Sequence, residues 1–95
     1  MYYYYSSPDD PNRISFAGEY NEGVLRIAAA RTSTKDHFVR RTGRMKATGK
    51  LKGNILLHER ALDKDQFSIK LFVETCKSLI PYIHRDPAVI NVKFV

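Results

Sequence analysis

The chain concentrates positive charge in one short segment, and the residue types in that segment suit phosphate binding. Residues 31–52 hold half of the 16 lysines and arginines and a single acid, Asp36, whereas the rest of the 95-residue chain is close to neutral. Arginine donates a planar fork of N–H groups that matches two phosphate oxygens, and lysine supplies a compact charge. The candidate phosphate-binding residues are Lys35, Arg40, Arg41, Arg44, Lys46 and Lys50.

The spacing of these cations predicts a basic helix. Ser33 or Thr34 could cap its N-terminus, with Asp36 in the first turn, and Gly49 is a natural C-terminal cap. Placing the residues on a helical wheel gives a thin apolar stripe with arginines on one flank and lysines on the other. The residues of this predicted stripe are Phe38, Val39, Thr42, Met45 and Gly49. Gly43 costs the helix about 1 kcal/mol against alanine, so we expect it to mark a close approach of the sheet or of a ligand.

Two interpretations of the basic helix follow from the sequence. Its lysine and arginine stems could cover the sheet while the charged groups stay in water. A solubilising face usually includes acids for pairs four residues apart, yet here Arg40 and Arg44 stand four apart and repel each other. Like charges on adjacent turns therefore favour an anionic binding partner.

The residues that commonly carry catalysis form no recognisable motif. The three histidines lack metal-ligand spacing, and the single cysteine, Cys76, falls on an apolar stripe and is predicted to belong to the core. Residues 43–51 imitate a phosphate-binding loop, but five residues separate the glycines and Leu51 stands where Ser or Thr would bind magnesium. We therefore expect a protein that is not an enzyme and uses neither a metal nor a cofactor.

One segment also resembles known proteins. The pattern S-x-K-D-x-F-x-R-R-x-G-R-x-x-A-x-G-K-L, from Ser33 to Leu51, is similar to a segment of small basic proteins encoded by phages and prophages. The similarity covers about a fifth of the chain. It implies the setting of an early or accessory protein, or of one that counters host defence.

Strands are predicted on the N-terminal side of the basic helix. Arg13–Tyr20 alternates apolar and polar residues, and Val24–Ala30 follows after a short loop that contains Gly23, so the two segments predict a hairpin. Tyr2–Tyr5 is predicted to add an edge strand or to form a mobile terminus; the functional alternative is an aromatic platform for bases. Asn54–Glu59 is predicted as a third strand or a packed connector.

A second helix is predicted to begin at Asp63, which pairs with Gln66 in a capping box, and to end or kink near Ile80 because Pro81 follows. Its predicted core stripe comprises Ile69, Phe72, Val73, Cys76, Leu79, Ile80 and Ile83. Phe67 and Leu71 lie off this stripe. Either the helix is covered on two sides or these two residues form a dimer contact.

The order of elements predicts an α+β fold. We expect a small antiparallel sheet, made of the N-terminal hairpin plus a C-terminal strand at Ala88–Val95, with two helices packed on one face. Residues 1–12 are predicted to form a tyrosine-rich arm or edge strand, and residues 13–95 a single domain.

The charge pattern leads to three ligand classes. Nucleic acid, held mainly through its backbone, is the first expectation. The alternative is an inhibitor of host defence that binds an acidic host protein or sequesters a small phosphorylated nucleotide. The sequence shows no signal peptide and no membrane span, which predicts a cytoplasmic protein, in the host cytoplasm if it is viral. The thin core of so short a chain also allows a homo-oligomer.

Overall fold

The computed structural model of the protein describes residues 1–7, 10, 13–32 and 40–85. Within these residues the helices and strands are β1 (Tyr2–Tyr5), β2 (Arg13–Asn21), β3 (Val24–Thr32), α1 (Arg40–Lys52), β4 (His58–Ala61) and α2 (Ile69–Arg85). Three predicted features lie outside the described residues: the helix start at Ser33 or Thr34, the side chain of Lys35, and the C-terminal strand at Ala88–Val95.

The strands of the described residues form one antiparallel sheet in the order β1-β2-β3-β4. The predicted hairpin is confirmed, because β2 pairs with β3 along its full length from Arg13↔Thr32 to Asn21↔Val24. Glu22 and Gly23 connect the two strands, and both have positive φ, at 52° and 77°. Such a two-residue turn follows the right-handed twist of the strands, so it closes a tight hairpin. The sheet and the helices confirm the α+β class.

The two helices lie on opposite faces of the sheet, so the prediction of two helices on one face is wrong. Adjacent residues of a strand point to opposite faces. Phe16 and Ala17 are adjacent in β2, and neither is accessible to solvent. Phe16 belongs to the core cluster that contains α2 residues, and Ala17 belongs to the cluster that contains α1 residues. Both faces of the sheet are therefore covered along β2 and β3, one mainly through larger side chains and the other through alanines.

The face that α1 covers is lined by alanines. Ala17, Ala28 and Ala30 of the sheet form one cluster with Ala47 and Leu51 of the helix. Gly43, one turn before Ala47, is also buried, within a helix that continues through it. Small side chains on both surfaces let the helix backbone approach the sheet closely. Gly43 is therefore a buried position of a continuous helix, on the same side as Ala47.

The predicted apolar stripe of α1 is wrong in the part that the structure describes. Met45 is 63% exposed, and Thr42 and Gly49 are exposed as well. The buried residues of the helix are Gly43, Ala47 and Leu51 instead, and the last two share a cluster with three alanines of the sheet. A hydrophobicity pattern that ranks residues by size and apolarity gives glycine and alanine little weight, so it selected the wrong face.

The helix α1 also extends beyond its predicted cap at Gly49. The backbone N–H of Ile55 donates to the carbonyl of Lys50 at 2.8 Å, and that of Asn54 donates to the carbonyl of Leu51 at 3.1 Å. Asn54 has φ 61°. This is the Schellman arrangement, with Asn54 as the left-handed residue that ends the helix.

The second helix covers the other face of the sheet with larger side chains. Phe72, Cys76 and Ile83 are buried in the cluster that includes Ile14, Phe16 and Ile27. The predicted stripe is confirmed at these three α2 positions, whereas Ile69 is 62% exposed. Cys76 is a core residue, as predicted.

Both ends of α2 differ from the prediction. Gln66 Oε1 accepts a hydrogen bond from the Asp63 backbone N–H at 2.8 Å, but this pair closes a separate turn. Ser68 caps the helix itself, because its Oγ accepts a hydrogen bond from the Leu71 N–H at 3.0 Å. Pro81 lies inside the helix, which continues to Arg85. Pro81 and Lys77, whose carbonyl loses its helical partner, are both exposed, so water can satisfy that carbonyl.

Phe67 packs against residues of the same chain. Its ring stacks on the Tyr20 ring, with centroids 4.6 Å apart and an angle of 2° between the planes. Leu71 packs against the same core cluster. Both residues therefore pack against the same cluster as the main stripe of α2, and Phe67 precedes the helix. In the part of the chain that the structure describes, no helix is both long and apolar enough to cross a membrane.

Candidate functional site

The outer surface of α1 is the most strongly charged surface of the described residues. The helix sequence, RRTGRMKATGKLK, contains six cations and no acid. Arg40, Arg41 and Arg44 are exposed. Among the described residues, none of these three arginines forms an ion pair. Within the part of the chain that the structure describes, no acid therefore pairs with these three arginines.

The edge strand β1 places tyrosines beside two of these arginines. Tyr5 pairs with Ser15 and Tyr3 pairs with Ala17, so both rings lie on the face of the sheet that α1 covers. The guanidinium carbon of Arg40 lies 5.1 Å from the centre of the Tyr5 ring. The guanidinium carbon of Arg44 lies 5.5 Å from the centre of the Tyr3 ring. These are cation–π contacts, which hold each guanidinium over a ring while its N–H edge stays free to donate.

The arginines over tyrosine belong to a line of residues along the helix. Arg40, Arg44, Thr48 and Lys52 follow one another at intervals of four residues, so each lies about one turn beyond the last. At 1.5 Å per residue the line is roughly 18 Å long. A row of this length suits a chain of phosphates better than it suits one isolated phosphate group.

A shallow groove lies beside the second half of this line. The hydroxyl of Tyr3 and Oγ1 of Thr48 are 3.2 Å apart and share a hydrogen bond, which joins β1 to the helix. The groove has a volume of about 330 Å³, near the lower limit of the roughly 300–1,000 Å³ typical of ligand pockets. It is lined by Tyr3, Arg44, Met45, Thr48, Gly49 and Lys52.

The two lysines lie on the opposite flank of α1 from Arg40 and Arg44. Lys46 is exposed and Lys50 is half-buried at the edge of the helix interface. Burial lowers the pKa of Lys50, and the neighbouring charge of Lys46 lowers it further. An anion bound beside this pair would favour the charged form of Lys50.

One further arginine on this face of the sheet is neutralised by acids. Arg26 Nη1 lies 3.0 Å from Glu19 Oε1, and its Nε lies 3.6 Å from Glu59 Oε2. Arg26 also donates a hydrogen bond to Oδ1 of Asn54, at the end of α1. Arg26 therefore connects the C-terminal end of the helix to the sheet. Its positive charge is compensated by the two glutamates.

The structure groups the predicted residues into two sets. Arg40 and Arg44 lie together over the edge tyrosines, with Arg41 pointing away from the sheet on the same helix, and Lys46 and Lys50 form the other flank. Lys35 lies outside the described residues. Sequence reasoning did not include Thr48 and Lys52, and it did not connect Tyr3 and Tyr5 to the helix. The spacing of four residues along the helix could have identified Thr48 and Lys52. The contact of Tyr3 and Tyr5 with the helix depends instead on the register of β1 on β2.

Two other places among the described residues carry groups that often do chemistry: Cys76 and the pair His84–Asp10. Cys76 is fully buried, and burial raises the pKa of its thiol far above the usual range, so it stays protonated. His84 Nε2 lies 2.9 Å from Asp10 Oδ2, a contact between α2 and the segment after β1. Among the residues described, no group of three or more His, Cys, Asp or Glu side chains is placed to hold a metal ion.

Comparison with known proteins identifies no relative of this chain. No protein family matches the chain, and neither a curated protein nor a solved structure is similar to it at a significant level.

Proposed function

We propose that this protein binds nucleic acid through the outer surface of α1 and the adjoining edge of β1. The observation that carries the proposal is the row of cations along α1. The helix contains no acid, and its exposed arginines form no ion pair with any residue that the structure describes. Such a surface attracts a polyanion and releases the counterions of its phosphates on binding. Phosphate contacts made by arginine and lysine account for most of the affinity in complexes of this kind.

The contacts of Arg40 and Arg44 with tyrosine support this proposal over sequestration of a small nucleotide. The tyrosine rings restrict both guanidinium groups before any ligand arrives, which lowers the entropy lost on binding. The resulting surface is an open row rather than a deep pocket. A small nucleotide would need a concave site that surrounds it, whereas a polymer can follow the row.

The test is the salt dependence of oligonucleotide binding. A labelled oligonucleotide is titrated with the protein at several salt concentrations, and fluorescence anisotropy gives the affinity. We expect the affinity to fall steeply with salt. Removing two phosphate contacts by Arg40→Gln with Arg44→Gln should reduce the slope of log K against log salt by roughly 2, about 1 for each contact.

A matched control removes the same charge from the other face of the sheet. Lys70 and Lys77 are exposed on α2, so Lys70→Gln with Lys77→Gln changes the net charge equally without touching α1. The slope should stay close to that of the unmodified chain. Equal effects of the two double variants would mean that only net charge matters, and absence of binding at low salt would refute the proposal.

A further inference from the structure

Gly49 occupies a helical position where the fold does not require glycine. It is exposed in the last turns of α1. A Cβ built on it would meet no other side chain within 4 Å among the described residues, and its φ is not in the positive region. Glycine in a helix interior is disfavoured relative to alanine because it loses more backbone entropy. Packing within the described chain therefore gives no reason for glycine at this position.

The missing side chain opens the groove beside Tyr3. Gly49 lines the groove together with Met45 and Tyr3, which are 63% and 38% exposed. An exposed methionine and tyrosine on so basic a surface provide an apolar, polarisable lining. The hydrogen bond between Tyr3 and Thr48 holds the ring in position. The groove is thus a small apolar site between two cations, Arg44 and Lys52.

We propose that this groove receives an unpaired base of a single-stranded nucleic acid, while Arg44 and Lys52 bind the phosphates on either side of it. This inference depends on the proposed function and specifies its ligand. Stacking of bases on aromatic side chains beside a positively charged groove is the usual means of binding single strands. In a duplex the base faces are stacked on one another, so they cannot enter a groove of this kind.

Gly49→Ala and Gly49→Leu provide the test, because both add a side chain at a residue that lines the groove, leucine the larger one, and both favour the helix over glycine. Binding is measured by anisotropy with labelled oligo-dT and oligo-U of about 12 nucleotides, within the roughly 4–16 nucleotides of known single-strand sites, and with a duplex of equal length. We expect Gly49→Leu to weaken single-strand binding about tenfold, the size expected for one lost stacking contact of roughly 1–3 kcal/mol, and Gly49→Ala to weaken it less. Duplex binding should be weaker at the start and should change little.

Thr42→Leu is the matched control. Thr42 is exposed on α1 but does not line the groove, so this change adds a similar apolar side chain elsewhere on the same helix. Binding of single strands should be unaffected by it. The midpoint of urea unfolding should not fall in either Gly49 variant, which separates a blocked groove from a damaged fold.

Two results would overturn the inference, and they are distinguishable. Salt-dependent binding that is equal for single strand and duplex, and unchanged in Gly49→Leu, would remove the base site and leave the proposed function standing. Absence of binding to every oligonucleotide at low salt would remove both. The oligo-dT and oligo-U measurements also identify which nucleic acid is preferred, because their sugars differ and their stacking chemistry is similar.

Discussion

At the scale of single residues, two glycines differ in how tightly their surroundings are packed: Gly18 in β2 and Gly49 in α1. Gly18 is a central residue of β2 on the face that α2 covers, and a Cβ there would overlap the ring of Phe72. Phe72 is only 1% exposed and is enclosed by the core, so the ring has little room to move. Gly18 is therefore required by packing, whereas Gly49 has open space around its Cα.

Replacing each glycine by alanine should therefore change stability in opposite directions. We expect Gly18→Ala to lower the free energy of unfolding by about 1–3 kcal/mol, because the added methyl overfills the core. Gly49→Ala should raise it by up to about 1 kcal/mol through helix propensity. Urea unfolding of the two variants measures both effects, and a stable Gly18→Ala variant would contradict the described contact with Phe72.

His58 should make stability depend on pH. Its Nε2 atom is buried without a hydrogen-bond partner among the described residues. Burial lowers the pKa of His58 below the ordinary value of 6.5, and the nearby charge of Arg60 lowers it further. The folded state thus binds fewer protons than the unfolded state just below pH 6.5, so the free energy of unfolding should fall as pH falls through that window.

The measurement is urea unfolding at several pH values above and below 6.5, for the original chain and for His58→Gln. Glutamine does not titrate, so the variant should lose that part of the pH dependence. The difference between the two curves is the quantity of interest, because every other residue is the same in both proteins. Identical slopes in both proteins would show that His58 has no part in the dependence.

At the scale of elements, the connection between α1 and the sheet depends on Asn54. It supplies the positive φ that ends the helix, and its side chain accepts a hydrogen bond from Arg26, which in turn pairs with Glu19. One residue therefore ends the helix and ties that end to β3. The same end of α1 carries Lys52 and Gly49, so the position of the proposed groove depends on this connection.

Asn54→Ala should destabilise the protein more than Asn54→Gly. Alanine in the left-handed region costs roughly 1–2 kcal/mol, and both variants lose the hydrogen bond to Arg26. Glycine adopts the same φ without that steric cost. Urea unfolding should place Asn54→Gly between Asn54→Ala and the original chain, and the reverse order would contradict the described helix end.

At the scale of the whole molecule, α1 and α2 pack against opposite faces of the same sheet. Ala17 and Phe16 are both fully buried, and each contributes to a different cluster. Both clusters contain residues of β2 and β3, so neither helix has a core that is separate from the sheet. The two layers should therefore lose their structure together when the sheet unfolds.

Coincident unfolding curves would verify this dependence. The chain has six tyrosines and no tryptophan; Tyr2, Tyr4 and Tyr20 pack against the α2 cluster, whereas Tyr3 and Tyr5 contact α1. With Tyr3→Phe and Tyr5→Phe, tyrosine fluorescence therefore reports mainly on the α2 face. Far-ultraviolet circular dichroism reports on both helices. We expect both signals to change at one urea midpoint, whereas an early partial loss of helical signal would show that α1 separates from the sheet first.

The sequence predicted most of the elements and much less of their arrangement. Alternation in Arg13–Tyr20 and Val24–Ala30 located the hairpin to within two residues at each end. The bounds of α1 and α2 were less accurate, because Asn54 and Ser68 set two of their ends through local hydrogen bonds. Other residues, Gly49 and Asp63, appeared equally suitable from residue type alone.

The candidate site was also predictable only in part. Arg40, Arg41 and Arg44 could be identified from charge and spacing, because a sequence lists charge directly. The association of Arg40 with Tyr5 and of Arg44 with Tyr3 joins residues more than thirty positions apart. It follows from the register of β1 on β2, which no local pattern contains.

The sequence by itself therefore determined the α+β class, the hairpin and the concentration of charge in one helix, because these depend on local alternation and composition. Only the tertiary structure decided which side of α1 faces the sheet. Packing favours close approach through Gly43 and Ala47 against the alanines of β2 and β3 over burial of the larger Met45. That choice leaves Met45, Gly49 and the exposed cations of α1 together on the outside, where the proposed ligand would bind.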